Sequence, residues 1–98
     1  MLKWTFITNH AAVLSFISRH PVITAHELAL EVGISERAIR RIISELLDAG
    51  YIKKKKEGRR VRYQVKHHAP LRHKIHTDKP VGELLKVLNA PPTTKNKK

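Results

Sequence analysis

Three arginines in the middle of the chain have the type and spacing needed to bind anions. Arg37, Arg40 and Arg41 stand three and four residues apart, so on a helix they share one face, and Ser44 follows at an offset of seven. A guanidinium group presents a planar fork of donors that pairs with a phosphate, or with O6 and N7 of guanine. Ser35 adds a hydroxyl just before this segment. The pattern predicts a cationic, hydrogen-bonding face.

Two short helices joined by a tight turn are predicted to position this face. Thr24 and Glu27 have the spacing of a capping box, which starts the first helix, and Gly33 stops it. Ser35 is a good N-cap for a second helix over residues 36–48. Apolar residues at helical spacing predict the buried side of that helix: Ile39, Ile42, Ile43, Leu46 and Leu47.

A change to period-two alternation after the second helix predicts a β-hairpin. Its strands are expected over residues 51–56 and 60–66, around a turn at Glu57 and Gly58. Over residues 53–66 the hairpin has eight Lys or Arg and one acidic residue, a local excess of 8 − 1 = 7 positive charges. Protection of a strand edge against aggregation is the alternative explanation, but it needs far fewer lysines.

The segments before the helix pair are predicted to add one helix and one short extended piece. Thr8 or Asn9 can cap a helix over about residues 10–19, whose buried side is expected to include Val13, Leu14, Phe16 and Ile17. Val22 and Ile23 are expected to be extended and to pair with the hairpin edge.

The C-terminal part is predicted to contain an irregular connection and one more short amphipathic helix. Asp78 can cap this helix, whose apolar face is formed by Val81, Leu84, Leu85 and Leu88. Residues 91–98 have almost no apolar side chain and are expected to be a disordered basic tail. We therefore expect one domain over residues 1–90, followed by this tail.

Composition restricts the classes of function. Twenty Lys and Arg against eight Asp and Glu give a charge of +12, which indicates a polyanionic partner, with nucleic acid as the first candidate. Cysteine is absent, which excludes disulfides, thiolate zinc sites and Cys nucleophiles. The chain shows no Gly-rich phosphate loop and no Ser-His-Asp grouping in motif context, so neither an enzyme nor a cofactor is expected. Without a membrane-length apolar run or a signal-peptide pattern, no membrane partner and a cytoplasmic location are expected.

Three features have a structural as well as a functional explanation. His67, His68, His73 and His76 lie close together, but no carboxylate pair completes a ligand set, so no metal is expected. Glu36 can accept from cytosine N4 or stabilise the positive end of its helix. Trp4 can stack on a base or ligand, but packing against the body of the chain or a partner subunit is favoured.

The order of these elements resembles small winged helix-turn-helix proteins of the broad group that includes MarR-like and ArsR-like transcriptional regulators. The resemblance rests on HELALEVGISERAIRRIISELLDAGYI followed by KKKKEGRRVRYQV. WTFITNHAAVL near the start and KPVGELLKVL near the end are also similar, so it spans roughly residues 4–88. The implied fold is mainly α with a small β-hairpin: a three-helix core plus a wing, with an additional short C-terminal helix.

The resemblance implies a sequence-specific regulator that binds double-stranded DNA as a homodimer in the cytoplasm, on the nucleoid. The helix at 36–48 would enter the major groove, and the wing at 53–65 would follow the backbone or minor groove. The predicted DNA contacts are Ser35, Glu36, Arg37, Arg40, Arg41, Ser44, Lys55, Lys56, Arg59, Arg60 and Arg62. The first segment and the helix at 81–88 are the expected subunit contacts. The alternative is a non-specific nucleic-acid-binding winged-helix protein, either architectural or RNA-binding.

Overall fold

The computed structural model describes residues 4–91, and within that range it contains four helices and one antiparallel hairpin. In chain order the elements are α1 (Asn9–Arg19), α2 (Ala25–Val32), α3 (Glu36–Asp48), β1 (Ile52–Glu57), β2 (Arg60–Val65) and α4 (Val81–Asn89). This order confirms the predicted fold class. Apart from Pro91, the predicted tail at 91–98 lies outside the described residues, as do residues 1–3. None of the described helices is long and apolar enough to cross a lipid bilayer.

Side-chain caps determine where the first three helices begin. The hydroxyl oxygens of Thr8 and Ser35 each accept a hydrogen bond from the backbone amide three residues later, at 3.1 and 3.0 Å. Thr24 and Glu27 form the predicted capping box: the Glu27 amide donates to the Thr24 hydroxyl at 3.1 Å, and the Thr24 amide donates to the Glu27 carboxylate at 2.9 Å. The helix starts proposed from sequence are therefore confirmed.

The turn between α2 and α3 is as short as predicted. Gly33 ends α2 with φ = +83°, and its amide donates to the carbonyl of Ala29 at 2.9 Å. Glycine adopts this left-handed conformation without steric strain, so the chain can reverse in three residues. The short connection holds α3 in a fixed orientation against α2.

The core lies where the four helices and the start of the hairpin meet. Its largest fully buried side chains are Val13, Ile17, Leu28, Ile39, Ile42, Ile52 and Leu85. The predicted buried side of α3 is confirmed for Ile39, Ile42, Ile43 and Leu46, whereas Leu47 is half-buried at the edge. Burying this side of an amphipathic helix leaves its opposite face in solvent.

The hairpin, or wing, extends from the core. Ile52 pairs with Val65 at its base and Glu57 pairs with Arg60 at its tip, where Gly58 turns the chain with φ = +62°. Along β2 the predicted alternation is present: one set of side chains is half-buried and the other is exposed. The half-buried set is Val61, Tyr63 and Val65, and the exposed set is Arg60, Arg62 and Gln64.

Two predictions about the segment before α2 were wrong. Val22 and Ile23 do not form a strand, because a turn follows α1 and the Ile23 amide donates back to the carbonyl of His20 at 3.0 Å. A single backbone hydrogen bond ties this segment to the wing, from the Tyr63 amide to the carbonyl of Pro21 at 2.8 Å. In addition, Phe16 is only half-buried, and Ser15 takes the buried position beside it: the buried residues of α1 are Val13, Leu14, Ser15 and Ile17.

The predicted cap of α4 was also wrong. Pro80, not Asp78, occupies the N-cap position, and no side chain hydrogen-bonds to the helix start. An isolated antiparallel bridge between Pro70 and Pro80 closes the irregular connection, with the Val81 amide donating to the Ala69 carbonyl at 2.7 Å. The backbone bridge orients the entrance to α4, so a side-chain cap is not needed for that purpose.

Candidate nucleic-acid interface

The solvent face of α3 carries the predicted cationic group. Arg37, Arg40, Arg41 and Ser44 are all exposed, and Ser35 is exposed at the N-cap position. The helix has 13 residues, which corresponds to a length of about 20 Å at ~1.5 Å per residue. Burial of the opposite face in the core fixes the direction in which these side chains project.

Glu36 connects two basic side chains at the start of α3. Its carboxylate accepts a hydrogen bond from Arg40 Nη2 at 2.6 Å, and its other oxygen lies 3.4 Å from Nδ1 of His26 on α2. The bond from Arg40, and then that from His26, holds the pKa of Glu36 below its usual value. Glu36 is therefore ionised at neutral pH and restrains Arg40 on the surface of α3.

Glu45 makes a similar connection on the other flank of α3. Its Oε1 lies 2.7 Å from Nε2 of His10 on α1 and 3.4 Å from Nη1 of Arg41. The hydrogen bond to His10 is the main reason that the pKa of Glu45 lies below its usual value. Within residues 4–91, Arg37 forms no ion pair, so its guanidinium is the unpaired one of the three.

The wing presents the remaining predicted contacts at its surface: Lys55, Lys56, Arg59, Arg60 and Arg62 are all exposed. Lys55 pairs across the hairpin with Arg62, which places two cations side by side on one face. The Nε of Arg62 donates to both carboxylate oxygens of Glu57, at 3.1 and 3.2 Å. This ion pair ties the two strands together next to the tip.

A cleft of about 680 Å³ lies between α3, the start of α2 and the wing; we call it the basic cleft. It brings Arg40 and Ser44 of α3 together with Arg59 and Arg60 of the wing, and Glu36 also lines it. The other predicted contacts do not line it: Ser35, Arg37, Arg41, Lys55, Lys56 and Arg62. The predicted set therefore divides into cleft residues and residues on the surrounding surface.

Lys54 also lines the basic cleft, although it is not among the predicted contacts. It pairs across the hairpin with Tyr63, so it shares the half-buried face of the wing. Burial raises the pKa of Tyr63, and the positive charge of Arg40 opposes that rise. The sequence contained a signal for this position. Lys54 lies two residues after the buried Ile52 on β1, and side chains two residues apart lie on the same face of a strand.

The histidines of the connection do not assemble into a metal site in the described part of the chain. The rings of His73 and His76 lie with their centroids 5.5 Å apart and their planes tilted by 46°. Across residues 4–91, no group of three or more His, Cys, Asp or Glu side chains is arranged to hold a metal ion.

Comparisons with known proteins give a family match for part of the chain. Residues 8–53 match a family described as winged helix-turn-helix DNA-binding. An uncharacterised protein of Methanocaldococcus jannaschii is 39% identical over 57 residues, which are 57% of this chain but only 12% of that protein. The chain thus corresponds to a small part of this much longer relative.

Three solved structures share the fold. A predicted DNA-binding transcriptional regulator from E. coli has a TM-score of 0.56 and 20% identity, over 80% of this chain and 70% of that one. A MarR family transcription regulator has a TM-score of 0.55 and 24% identity, over 82% and 46% of the two chains. The zinc-dependent MarR family regulator AdcR, in its zinc-bound state, has a TM-score of 0.53 and 22% identity, over 67% and 47%.

The chain spans about half of the two MarR family structures, and identities at this level establish a common fold. Residues 8–53, which match this family, include the whole helix-turn-helix pair and the first residues of the wing. The chain therefore contains a winged helix-turn-helix domain, and its likeness to MarR-like regulators, predicted from the sequence, is confirmed in the fold.

Proposed function

We propose that this chain is a transcriptional regulator that binds double-stranded DNA in a sequence-specific manner. The observation that carries the proposal is the basic cleft, where Arg40 and Ser44 of α3 face Arg59 and Arg60 of the wing. Both elements are cationic and both line the basic cleft. A polyanion in this cleft can therefore contact the two elements at the same time. The match of residues 8–53 to a DNA-binding family supports the choice of DNA.

In this proposal α3 lies in the major groove. The groove is about 12 Å wide and admits one helix, whose N-terminal half then reaches the base edges. Arg37 is exposed and unpaired within the described residues, so its fork is available for a guanine or a phosphate. Ser44 is exposed on the same face, and Ser35 is exposed at the N-cap position that precedes the helix. We assign base reading to this face.

The wing is assigned to the DNA backbone or the adjacent minor groove. Its exposed cations follow one another along a rigid hairpin, and such contacts give affinity without choosing a sequence. The Arg62–Glu57 pair joins the two strands next to the tip. A wing that is already ordered loses less conformational entropy when it binds.

A non-specific nucleic-acid-binding role is the alternative, and one observation favours it. Arg40 and Arg41 are already paired with Glu36 and Glu45 on their own helix. With those two arginines held by carboxylates, fewer side chains of α3 are free to read base edges, and affinity would rest on the exposed cations of the wing. An architectural or RNA-binding protein would use such a surface for general attraction to phosphate.

We further propose that residues 1–90 act as one DNA-binding domain and that the protein is a homodimer. Two copies would place their α3 helices on half-sites about one helical turn apart, roughly 34–36 Å.

The test is to select duplexes from a random library and to compare the selected site with a shuffled duplex of equal length by fluorescence anisotropy. Both duplexes should bind at low salt. If six phosphates are engaged, the slope of log affinity against log salt should be about −5. A preference of about a thousandfold or more at physiological salt supports sequence-specific binding. Equal affinities that vanish together as salt rises, or tighter binding to structured RNA, would instead support the non-specific alternative.

Matched variants separate the two elements. Arg37→Ala on α3 and Arg59→Ala on the wing each remove one exposed arginine. We expect Arg37→Ala to weaken the selected site roughly ten- to hundredfold while changing the shuffled duplex little. Arg59→Ala should weaken both duplexes equally and make the salt slope shallower by about 0.9. If both variants lower both affinities equally, α3 does not read bases.

A further inference from the structure

The segment before α1 leaves an aromatic pair in solvent. Trp4 is 70% exposed and Phe6 is 89% exposed. Their rings meet edge to face with centroids 5.1 Å apart, an arrangement that aromatic pairs favour. Of the two packing partners predicted for Trp4, the body of its own chain is therefore excluded, and a partner subunit stays a prediction. Residues 4–7, which we call the aromatic arm, present apolar surface that the described part of the chain does not cover.

An apolar cleft of about 570 Å³ opens where the arm joins α1. Its apolar walls come from three helices and from the connection after the wing, and include Ala11, Leu14, Leu46, Leu71, Leu84 and Leu85. The polar side chains of His10, Glu45 and Arg72 also line it. Thr8, the residue that caps α1, lies at its edge. Within residues 4–91, the aromatic segment and the apolar cleft are thus both left without a covering partner.

We propose that the aromatic arm of one copy fills the apolar cleft of a second copy, and that the second copy does the same in return. The proposal deepens the dimeric part of the proposed function. Trp4 lies four positions before Thr8, so at ~3.3–3.6 Å per residue an extended arm reaches about 14 Å. The cleft begins at Thr8, so a twofold axis near this residue brings each arm within reach of the opposite cleft.

The area that such an exchange would bury is what a stable dimer needs. A buried Trp or Phe contributes about 150–250 Å². At the observed exposures, one arm therefore removes roughly 250–400 Å² from water. Two arms and the cleft walls that cover them bury roughly 1,000–1,600 Å², which overlaps the range of about 1,200–2,000 Å² for standard interfaces.

Charge gives this interface a distinctive salt dependence. Each chain carries a formal charge of +12, so two copies repel each other at low ionic strength. Salt screens that repulsion but leaves apolar contacts intact. Self-association should therefore strengthen as salt rises, whereas DNA binding weakens. Because salt affects self-association and DNA binding in opposite directions, the proposed dimer and the proposed DNA interface can be tested independently.

Trp4 is the sole tryptophan of the chain, so its emission reports directly on the arm. Without DNA and at high salt, we expect the emission to shift to the blue as the protein concentration rises from roughly 0.1 to 100 µM, a span that covers dissociation constants of ordinary interfaces. Sedimentation equilibrium should show the mass rising from 11.3 kDa to twice that value over the same span.

Other outcomes overturn the proposal. Blue-shifted emission from a monomer at every concentration would place the arm in its own cleft. Red emission at every concentration would leave the arm in water, and a dimer with red emission would have formed through another surface. None of these outcomes changes how the chain binds a shuffled duplex, so the proposed DNA binding is judged separately.

Two variants locate the contact. Phe6→Ser acts on the arm, where the exposed side chain has little packing to lose beyond its contact with Trp4, and Leu84→Glu puts a charge into the cleft. Both should sediment as monomers at concentrations where the unchanged chain is a dimer. Leu30→Glu is the matched control, because Leu30 is 71% exposed on α2 and does not line the cleft. It should leave self-association unchanged, and equal effects of all three variants would overturn the assignment.

A mixing experiment tests the exchange itself. A chain with Trp4→Ala and Phe6→Ala has an intact cleft and no tryptophan, whereas the Leu84→Glu chain has an intact arm and a blocked cleft. Adding the first to the second should shift the emission of Trp4 to the blue, because the arm then enters the unblocked cleft. An unchanged spectrum, with circular dichroism showing both chains folded, would overturn the exchange.

Discussion

Nε2 of His10 lies 2.7 Å from Oε1 of Glu45, and this contact joins α1 to the solvent side of α3. The same carboxylate oxygen lies 3.4 Å from Nη1 of Arg41. Near the other end of α3, Glu36 holds Arg40 at 2.6 Å. Two of the three α3 arginines proposed to contact DNA are therefore restrained by carboxylates of their own helix, and DNA must compete with those carboxylates.

Removing the charge of Glu45 should free Arg41 for phosphate. In the Glu45→Gln variant, we expect tighter binding to any duplex and a salt slope that is steeper by up to about 0.9, the value for one additional phosphate contact. Anisotropy across a salt series measures both quantities. Glu83→Gln removes the same charge from the first turn of α4 and is the control. If the two variants change the slope equally, release of Arg41 is not the cause.

The free energy of unfolding of the domain should decrease as the pH falls below the usual pKa of carboxyl groups. The hydrogen bond from the Thr24 backbone lowers the pKa of Glu27, and contacts with Arg40 and His10 lower the pKa of Glu36 and of Glu45. A group whose pKa is lower in the folded state stabilises the fold above its unfolded pKa, about 4.3 for Glu. That contribution is lost as the pH falls through the lowered folded value.

Thermal unfolding between about pH 7 and pH 3 tests this expectation, because the melting temperature should fall mainly below about pH 4.5. Glu27→Gln keeps a hydrogen-bonding side chain in the capping box but cannot titrate. Its melting temperature should therefore depend less steeply on pH in the acidic range. An unchanged slope in this variant would show that the Glu27 carboxylate does not contribute.

The two faces of α3 should separate stability from binding. Ile39 is fully buried, so Ile39→Ala should lower the free energy of unfolding by about 2–5 kcal/mol through lost burial and a cavity. Arg37→Ala, on the exposed face of the same helix, should leave that free energy within about 0.5 kcal/mol but weaken DNA binding. Urea titration and anisotropy measure the two effects. A large loss of stability in Arg37→Ala would contradict this division.

The helix boundaries could be predicted because local chemistry determines them. Thr24 with Glu27, and Ser35 alone, satisfy amides that every helix start leaves free, and Gly33 supplies the conformation that ends α2. Asp78 failed as a cap because the backbone bridge between Pro70 and Pro80 already sets the entrance to α4. That bridge joins residues across the connection, and no local pattern encodes it.

The side-chain pairs of the candidate interface could not be predicted, for the same reason. Whether Glu45 meets His10 depends on how α1 crosses α3, since the two residues are 35 positions apart. The sequence places Arg40 and Arg41 on one helical face, but their neighbours direct them to opposite flanks: Arg40 lines the basic cleft and Arg41 pairs toward α1. The helical periodicity of the sequence predicts which residues share a face of α3. The packing of α3 against the other elements determines what each of those residues contacts.

Gly33 should resist substitution for conformational reasons alone. Its φ is +83°, and a Cβ built at this position meets no atom within 4 Å. Gly33→Ala should therefore cost about 1–2 kcal/mol from the left-handed conformation, with no steric term. Gly33→Asn should cost less, because Asn tolerates this region better. Urea titrations of the two variants give the comparison, and equal losses would indicate that contacts, not φ, limit the site.

The basic cleft makes a prediction about pairs of residues. Arg40 and Arg60 both line it, whereas Arg37 lies outside it. If one stretch of DNA occupies the cleft, the effects of Arg40→Ala and Arg60→Ala on affinity should be non-additive by about 0.5–3 kcal/mol, because both arginines share the same phosphates. The pair Arg37→Ala and Arg60→Ala should instead add within about 0.5 kcal/mol.

A double-mutant cycle for each pair, measured by anisotropy at one salt concentration, gives both coupling energies. The two cycles share the Arg60 variant and remove the same number of charges, so a general loss of electrostatic attraction affects them alike. Additivity in both would mean that DNA contacts α3 and the wing separately, without entering the basic cleft. Coupling limited to Arg40 and Arg60 would place the DNA backbone between the two elements.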